Sequence, residues 1–295
     1  MDRGLCGLRA PDGPAPATPL RGRVFALAGI ATAVLCLSCG GGCATLCGWL
    51  AEGPVYRYYA RIPLDADKDR IVAALNDNIE PVQAWRCRGA SIRVRQAGQP
   101  PVLLSAQIAV ARPRRLRLVA SLLGRDEVDI GSNDREFWCW IRRNDPPMVL
   151  TGLHDSPARA AAIPFEPEWL MQALGVLPLD PTEYRLEHSD EQRYVFLVDD
   201  RATLAGVPVY RVMTVDLFSG VIVAHTVYDR QGRVLLRARL TDFRTDERTG
   251  VPLPHRVALE WPPAGIAMSI GLREIEVNPT EIPESVWQRP PGGVR

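Results

Sequence analysis

Four cysteines fall within thirteen residues, Cys36, Cys39, Cys43 and Cys47 in the stretch LCLSCGGGCATLC. Thiolates at such spacing hold zinc or iron–sulfur clusters when polar turns and further hydrogen-bonding partners surround them. Leucine, alanine and glycine surround these, so no metal is expected. The flanks point elsewhere. Arg21 and Arg23 precede VFALAGIATAVLCL, an apolar run of fourteen residues, and no charge occurs from Val24 to Ala51. A basic flank, an apolar stretch of that length and then small residues is the layout of an export signal.

Small residues before a cysteine at the end of such a run resemble the lipobox of bacterial lipoproteins, in which the cysteine is acylated and becomes the mature N-terminus. Cys39, after Cys36-Leu37-Ser38, is the first candidate for lipidation, and Cys43, after Gly40-Gly41-Gly42, is the alternative. A third possibility leaves residues 24–51 uncleaved, close to the ~20 apolar residues that span a bilayer. Each route exports the bulk of the chain and tethers it to a membrane. Residues 1–43 are therefore read as signal or anchor, 44–65 as linker, 66–287 as one folded domain and 288–295 as a tail.

Other chemistry has thin support. The four histidines (His154, His188, His225 and His255) have no ligand spacing between them. Serines lie near His154 and His188, but none stands in a GxSxG elbow. Asp199-Asp200 closes a strand, and no glycine-rich phosphate loop occurs. Asp65, Asp67 and Asp69 imitate the opening of a calcium loop, yet Arg70 and Asn76 occupy the positions that need Gly and Glu. Helix capping is the better reading. Neither an enzyme nor a cofactor is expected, and a net charge of +1 without a basic block gives no case for nucleic acid. Arginine supplies almost all of the positive charge.

What the chain positions is mostly β. Ile71, Leu75 and Ile79 recur at four-residue spacing between a capping Asp65 or Asp67 and Pro81, which predicts a helix. After Trp85 the period becomes two: Ile92 and Val94, then Leu104 to Val110, then Leu116 to Leu122. GSNDREFWCWIRRNDPPMVL reads as a turn, a strand through Trp140, an Asn-Asp-Pro-Pro turn and another strand. Residues 152–181 interrupt this rhythm with a short amphipathic helix carrying Trp169, Leu170, Ala173 and Leu174. Strands then continue nearly to the end, joined by short glycine-containing loops, so consecutive strands are antiparallel neighbours. In one of them Val234, Leu236, Ala238 and Leu240 form an apolar face, while Arg233, Arg237 and Arg239 form a wet one. The prediction is a mainly β (α+β) fold, with one curved antiparallel sheet of about ten strands forming an open half-barrel under a helical lid. Such a concavity suits a hydrophobic ligand.

Within this frame ARPRRLRLVASLLGRDEVDIGSNDREFWCWIRRNDPPMVL resembles the core signature of LolA/LolB-like lipoprotein carriers. There an Arg-Pro pair leads a strand, and a polar turn and an aromatic-rich strand follow. VDLFSGVIVAHTVYDRQGRVLLRARLTDFR and GVPLPHRVALEWP are similar to the hairpin ladder of outer-membrane lipoprotein-sorting proteins. The resemblance spans roughly residues 66–287 and implies a cavity for acyl chains. By motif, Arg112 matches the arginine that hydrogen-bonds the lid, and Trp138 and Trp140 match the aromatic strand. By order, residues 152–181 match the lid, with Trp169, Leu170 and Leu174 in its helix. The anchor points to a LolB-like acceptor or an uncharacterised tethered lipoprotein branch, and no Asp follows the candidate cysteines, which under the family's sorting rule favours the outer membrane. The implied partners are a lipid or the acyl chain of a lipoprotein and, as a second reading, an envelope protein bound without lipid. Cys87 and Cys139, both in the exported part, could pair as a disulfide or remain two buried thiols.

Overall fold

A computed structural model describes residues 61–142, 148–154, 167–204 and 206–290. The cysteine run with Cys39 and Cys43, the signal or anchor segment, most of the linker, the Asn-Asp-Pro-Pro turn, the middle of the 152–181 insertion and the end of the tail lie outside the described residues. No helix among the described residues is long and apolar enough to cross a membrane.

Helix α1 (Lys68–Ile79) starts where Asp67 accepts a hydrogen bond from the Arg70 backbone N–H at 2.9 Å, an ordinary N-cap. Its buried residues Ile71, Val72, Leu75 and Ile79 fall on one stripe. Six strands follow as successive hairpins: β1 (Ala84–Gln96), β2 (Val102–Ala111), β3 (Arg115–Leu122), β4 (Arg125–Ser132), β5 (Glu136–Ile141) and β6 (Met148–Leu153). Helix α2 (Pro167–Ala173) then precedes β7 (Arg185–His188) and β8 (Tyr194–Asp199). The small hairpin of β9 (Thr203–Leu204) and β10 (Val207–Pro208) leads to β11 (Tyr210–Asp216), β12 (Val221–Tyr228), β13 (Val234–Thr245), β14 (Pro252–Trp261), β15 (Ile266–Gly271) and β16 (Ile275–Val277).

All but β9 and β10 belong to one antiparallel sheet, in the order β6-β5-β4-β3-β2-β1-β15-β14-β13-β12-β11-β8-β7, with β16 beside the start of β1. The sheet is curved and does not close into a barrel: among the described residues β6 and β7 are its edges. It has fourteen strands among the described residues, against about ten expected, because short members such as β7 and β16 lack a legible alternation. One pairing is non-local. β1 and β15 join the ladder of the N-terminal half to that of the C-terminal half, with Ile92 opposite Ile270 and Val94 opposite Met268.

Both helices lie on the same face of the sheet. The buried residues of α1, together with Met171 and Leu174 of the α2 region, share one core with Ile92, Leu104, Leu116, Leu118, Ala238 and Val257. A bulge between Cys87 and Ala90 keeps this apolar parity in step along β1. Contacts begin before residue 66, since Ile62 is buried and its N–H donates to the Leu217 carbonyl at 3.1 Å.

Candidate functional site

The inner face can be followed across the sheet by register. Leu186, Leu197, Met213, His225, Ala238, Leu259, Met268, Val94 and Val102 stand directly opposite one another on nine successive strands. Directly paired residues share a face, so this row is apolar except at His225. The next row on the same face, Val257, Ile270, Ile92 and Leu104, contains no polar residue.

Between these rows and α2 the side chains do not meet completely. They leave a cavity of about 100 Å³, several times the ~10–15 Å³ that one water requires. Trp169, Leu170, Ala173 and Leu174 roof it, and Ile92, Leu118, Leu259 and Met268 are among its floor. Arg211 and His225 bring the polar atoms to this otherwise apolar wall. Away from those two residues the lining favours apolar guests.

The roof is fastened at its C-terminal end. The Trp85 indole N–H donates to the Leu174 carbonyl at 3.2 Å. Arg112 donates from Nε to the Val176 carbonyl at 2.7 Å and from Nη2 to the Ile79 carbonyl at 2.6 Å, tying the end of α1 to the turn after α2. Asn76 completes the clamp: its amide donates to the Leu179 carbonyl at 2.9 Å and accepts from the Leu179 N–H at 2.8 Å. Between the helix and this clamp lies Gly175 at φ +71°, a left-handed turn that favours glycine. The front of α2 is held by looser contacts: Glu168 lies 3.7 Å from Arg114 and 3.6 Å from His154 Nδ1.

Of the residues proposed for the cavity or lid, Trp169, Leu170 and Leu174 come together at the chamber and Arg112 sits at the roof's hinge end. Trp138 and Trp140 do not. Trp138 pairs with Gly131, and Trp140 with Asp129, on the outer face. Their cavity assignment is corrected by strand parity: Phe137 and Cys139 are the inner residues of β5, packed with Ile130. Gly131 leaves room for the Trp138 ring, whose N–H donates to Asp129 at 2.9 Å. Arg117 lies 5.2 Å from that ring's centroid, pairs with Asp129 at 2.6 Å and donates to the Val286 and Gln288 carbonyls. This knot pins the C-terminal segment to the outside of the sheet. Burial raises the Asp129 carboxyl pKa, and the Trp138 and Arg117 contacts oppose that rise.

Cys87 and Cys139 are both free and buried. Three strands separate β1 from β5 in the sheet, so the two thiols are not placed for the Cα approach of under ~7 Å that a disulfide needs. Burial raises both thiol pKa values, that of Cys139 to about 11, which disfavours the thiolate form.

A Ser-His-Glu arrangement also occurs. Ser132 Oγ is 3.2 Å from His154 Nε2, and His154 Nδ1 is 3.6 Å from Glu168. It lacks the chemistry of a triad. Nε2 is also 2.9 Å from the Asn133 carbonyl, which only accepts, so that nitrogen carries a proton and is no base for the hydroxyl. Ser132 is itself fully buried, at 0% exposure.

Sequence reading missed Arg211 and His225. Their signal was present as parity: Arg211 shares an inner face with Met213, and His225 with Val227, so each is a polar residue at an apolar position. Arg211 Nη2 donates to Gln172 Oε1 on α2, and its guanidinium lies 5.1 Å from the Trp169 ring centroid. Both ring nitrogens of His225 lack a hydrogen-bond partner among the described residues. Burial, then the Arg211 charge, pushes the His225 pKa well below its usual value, so the ring is neutral. Burial also lowers the pKa of Arg211.

No family model matches the chain, and no curated protein matches it in sequence. Solved structures do match in shape. A putative outer-membrane lipoprotein-sorting protein domain from Vibrio parahaemolyticus aligns with a TM-score of 0.53 at 10% identity, over 75% of this chain and 97% of that one. A LolA superfamily protein from Nitrosomonas europaea aligns at 0.50 and 14% identity, over 76% and 98%. A DUF1329 family protein from Desulfovibrio piger aligns at 0.50 and 11%, over the same shares. At these identities the likeness concerns fold, and the fold of this chain is LolA-like.

Proposed function

We propose that this chain is an exported, membrane-tethered protein that captures an acyl chain in the chamber beneath α2, in the trafficking of lipids or lipoproteins through the cell envelope. The observation that carries this reading is the unfilled apolar space between the inner face and the roof. A barrel used only as a protein-docking scaffold gains nothing from such a void, because unfilled core space is destabilising. Capture is non-covalent, each buried methylene contributing about 0.8 kcal/mol. Release follows when the front of α2 lifts while the clamp of Trp85, Arg112 and Asn76 keeps its far end in place. Tethering runs through Cys39, Cys43 or an uncleaved segment 24–51, with the folded part facing the periplasm and the outer membrane as destination. Direction of transfer then depends on a partner of higher affinity.

Uptake of a fluorescent fatty acid tests this. The unaltered chain is expected to take it up saturably. Leu170→Glu, which places a charge in the roof, is expected to lower affinity at least tenfold, about 1.4 kcal/mol, with the fold intact by circular dichroism. Absence of uptake by the unaltered chain would overturn the proposal.

A further inference from the structure

The chamber has a polar pole that core packing does not explain. Arg211 is 3% exposed and His225 7% exposed, on one face of adjacent strands, two positions apart in register as diagonal neighbours. No carboxylate lies within 4 Å of the Arg211 guanidinium among the described residues, although Asp199 stands opposite it in register. Nη2 donates to Gln172 and lies 3.9 Å from the sulfur of Met213, and Tyr184, Asp199 and Glu183 stabilise the charge from the side. A buried cation without an ion pair among the described residues, beside a buried imidazole with both nitrogens unsatisfied, is unfavourable unless something supplies acceptors. The remaining wall is aliphatic or aromatic. The site thus presents a fork of donors at one point and a largely apolar surface elsewhere, where the Trp261 indole N–H is a further buried donor without a partner among the described residues.

We infer that the guest of this chamber is a single-chain amphiphile with an anionic oxygen head, its head accepted by Arg211 and His225 and its tail lying under α2. This rests on the proposal of acyl-chain capture and specifies its ligand. Arginine's planar donors match carboxylate and phosphate oxygens equally, and neutral His225 adds one N–H. The same head would engage the roof as well: Arg211 already bonds Gln172 and stacks against Trp169, so a bound anion reorders two side chains of α2.

The test uses the full-length chain, purified and delipidated, with tail length held constant. Palmitate, 1-palmitoyl lysophosphatidic acid and 1-hexadecanol are titrated against it, and quenching or enhancement of tryptophan fluorescence is followed, since Trp169 and Trp261 line the chamber. At least one anionic ligand is expected to bind about tenfold or more tightly than the alcohol, and the better of the two identifies the head as carboxylate or phosphate. In Arg211→Met that preference is expected to vanish, while hexadecanol affinity stays within about twofold. Equal binding of all three by the unaltered chain would overturn the anionic head and leave acyl capture standing. Binding of none would overturn both.

Discussion

Arg112 concentrates several roles in one side chain. Its two hydrogen bonds satisfy the last turn of α1 and the turn after α2 at once, and removing it leaves two carbonyls without their charged donor. Arg112→Met is expected to cost about 2–4 kcal/mol, a fall of roughly 5–12 °C in Tm for a domain of this size, with Arg112→Lys recovering part of it. A thermal melt decides. His225 makes a prediction of opposite character. Unfolded histidine protonates near pH 6.5, whereas the buried ring stays neutral to well below that. The unfolded chain therefore binds the extra proton as the medium acidifies. Stability should be fully present above about pH 6.5 and fall below it, by up to about 1.4 kcal/mol per pH unit from this residue. Melts of the ligand-free chain between pH 7.5 and 5 should show a smaller loss in His225→Leu; an identical slope would rule out a neutral buried imidazole.

At the scale of elements, β4 and β5 illustrate what parity does and does not reveal. Alternation separates Trp138 and Trp140 from Phe137, Cys139 and Ile141, and that grouping is legible in the sequence. Which group faces inward is not, because both are apolar and a sheet covered on both sides erases the contrast. Each group sits over its own glycine: a Cβ at Gly131 would come within 2.0 Å of the Trp138 ring and one at Gly152 within 2.4 Å of the Phe137 ring, so only packing against the rest of the core separates inside from outside. Gly131→Ala is expected to cost about 3 kcal/mol, and less in a Trp138→Leu background, where the ring no longer occupies the space. Strict additivity of the two changes in urea denaturation would contradict this packing. By contrast, α1 was readable from its cap and stripe, and the helix carrying Trp169, Leu170 and Leu174 from the break in strand rhythm.

The whole molecule depends on a join that no local pattern encodes. Hairpins between neighbouring strands follow from short loops, but the pairing of β1 with β15 couples residues such as Ile92 and Ile270 across most of the chain. That pairing curves the two ladders into one trough and sets Val94 beside Met268, at the floor of the chamber. The number of strands and the polar pole of Arg211 and His225 were equally hidden, the first because short strands carry no period, the second because a charge at an apolar position is visible only once register is known. A trough with two helices laid in it and space left between is the physical core of the account. Its most direct test is native mass spectrometry of the intact chain purified from membranes of its expression host. Collisional activation strips non-covalent guests and leaves any covalent anchor in place. The account predicts a population heavier by one acyl-bearing lipid that is lost on activation, and that is depleted in Leu170→Glu. A single mass unchanged by activation, for a folded chain, would contradict it.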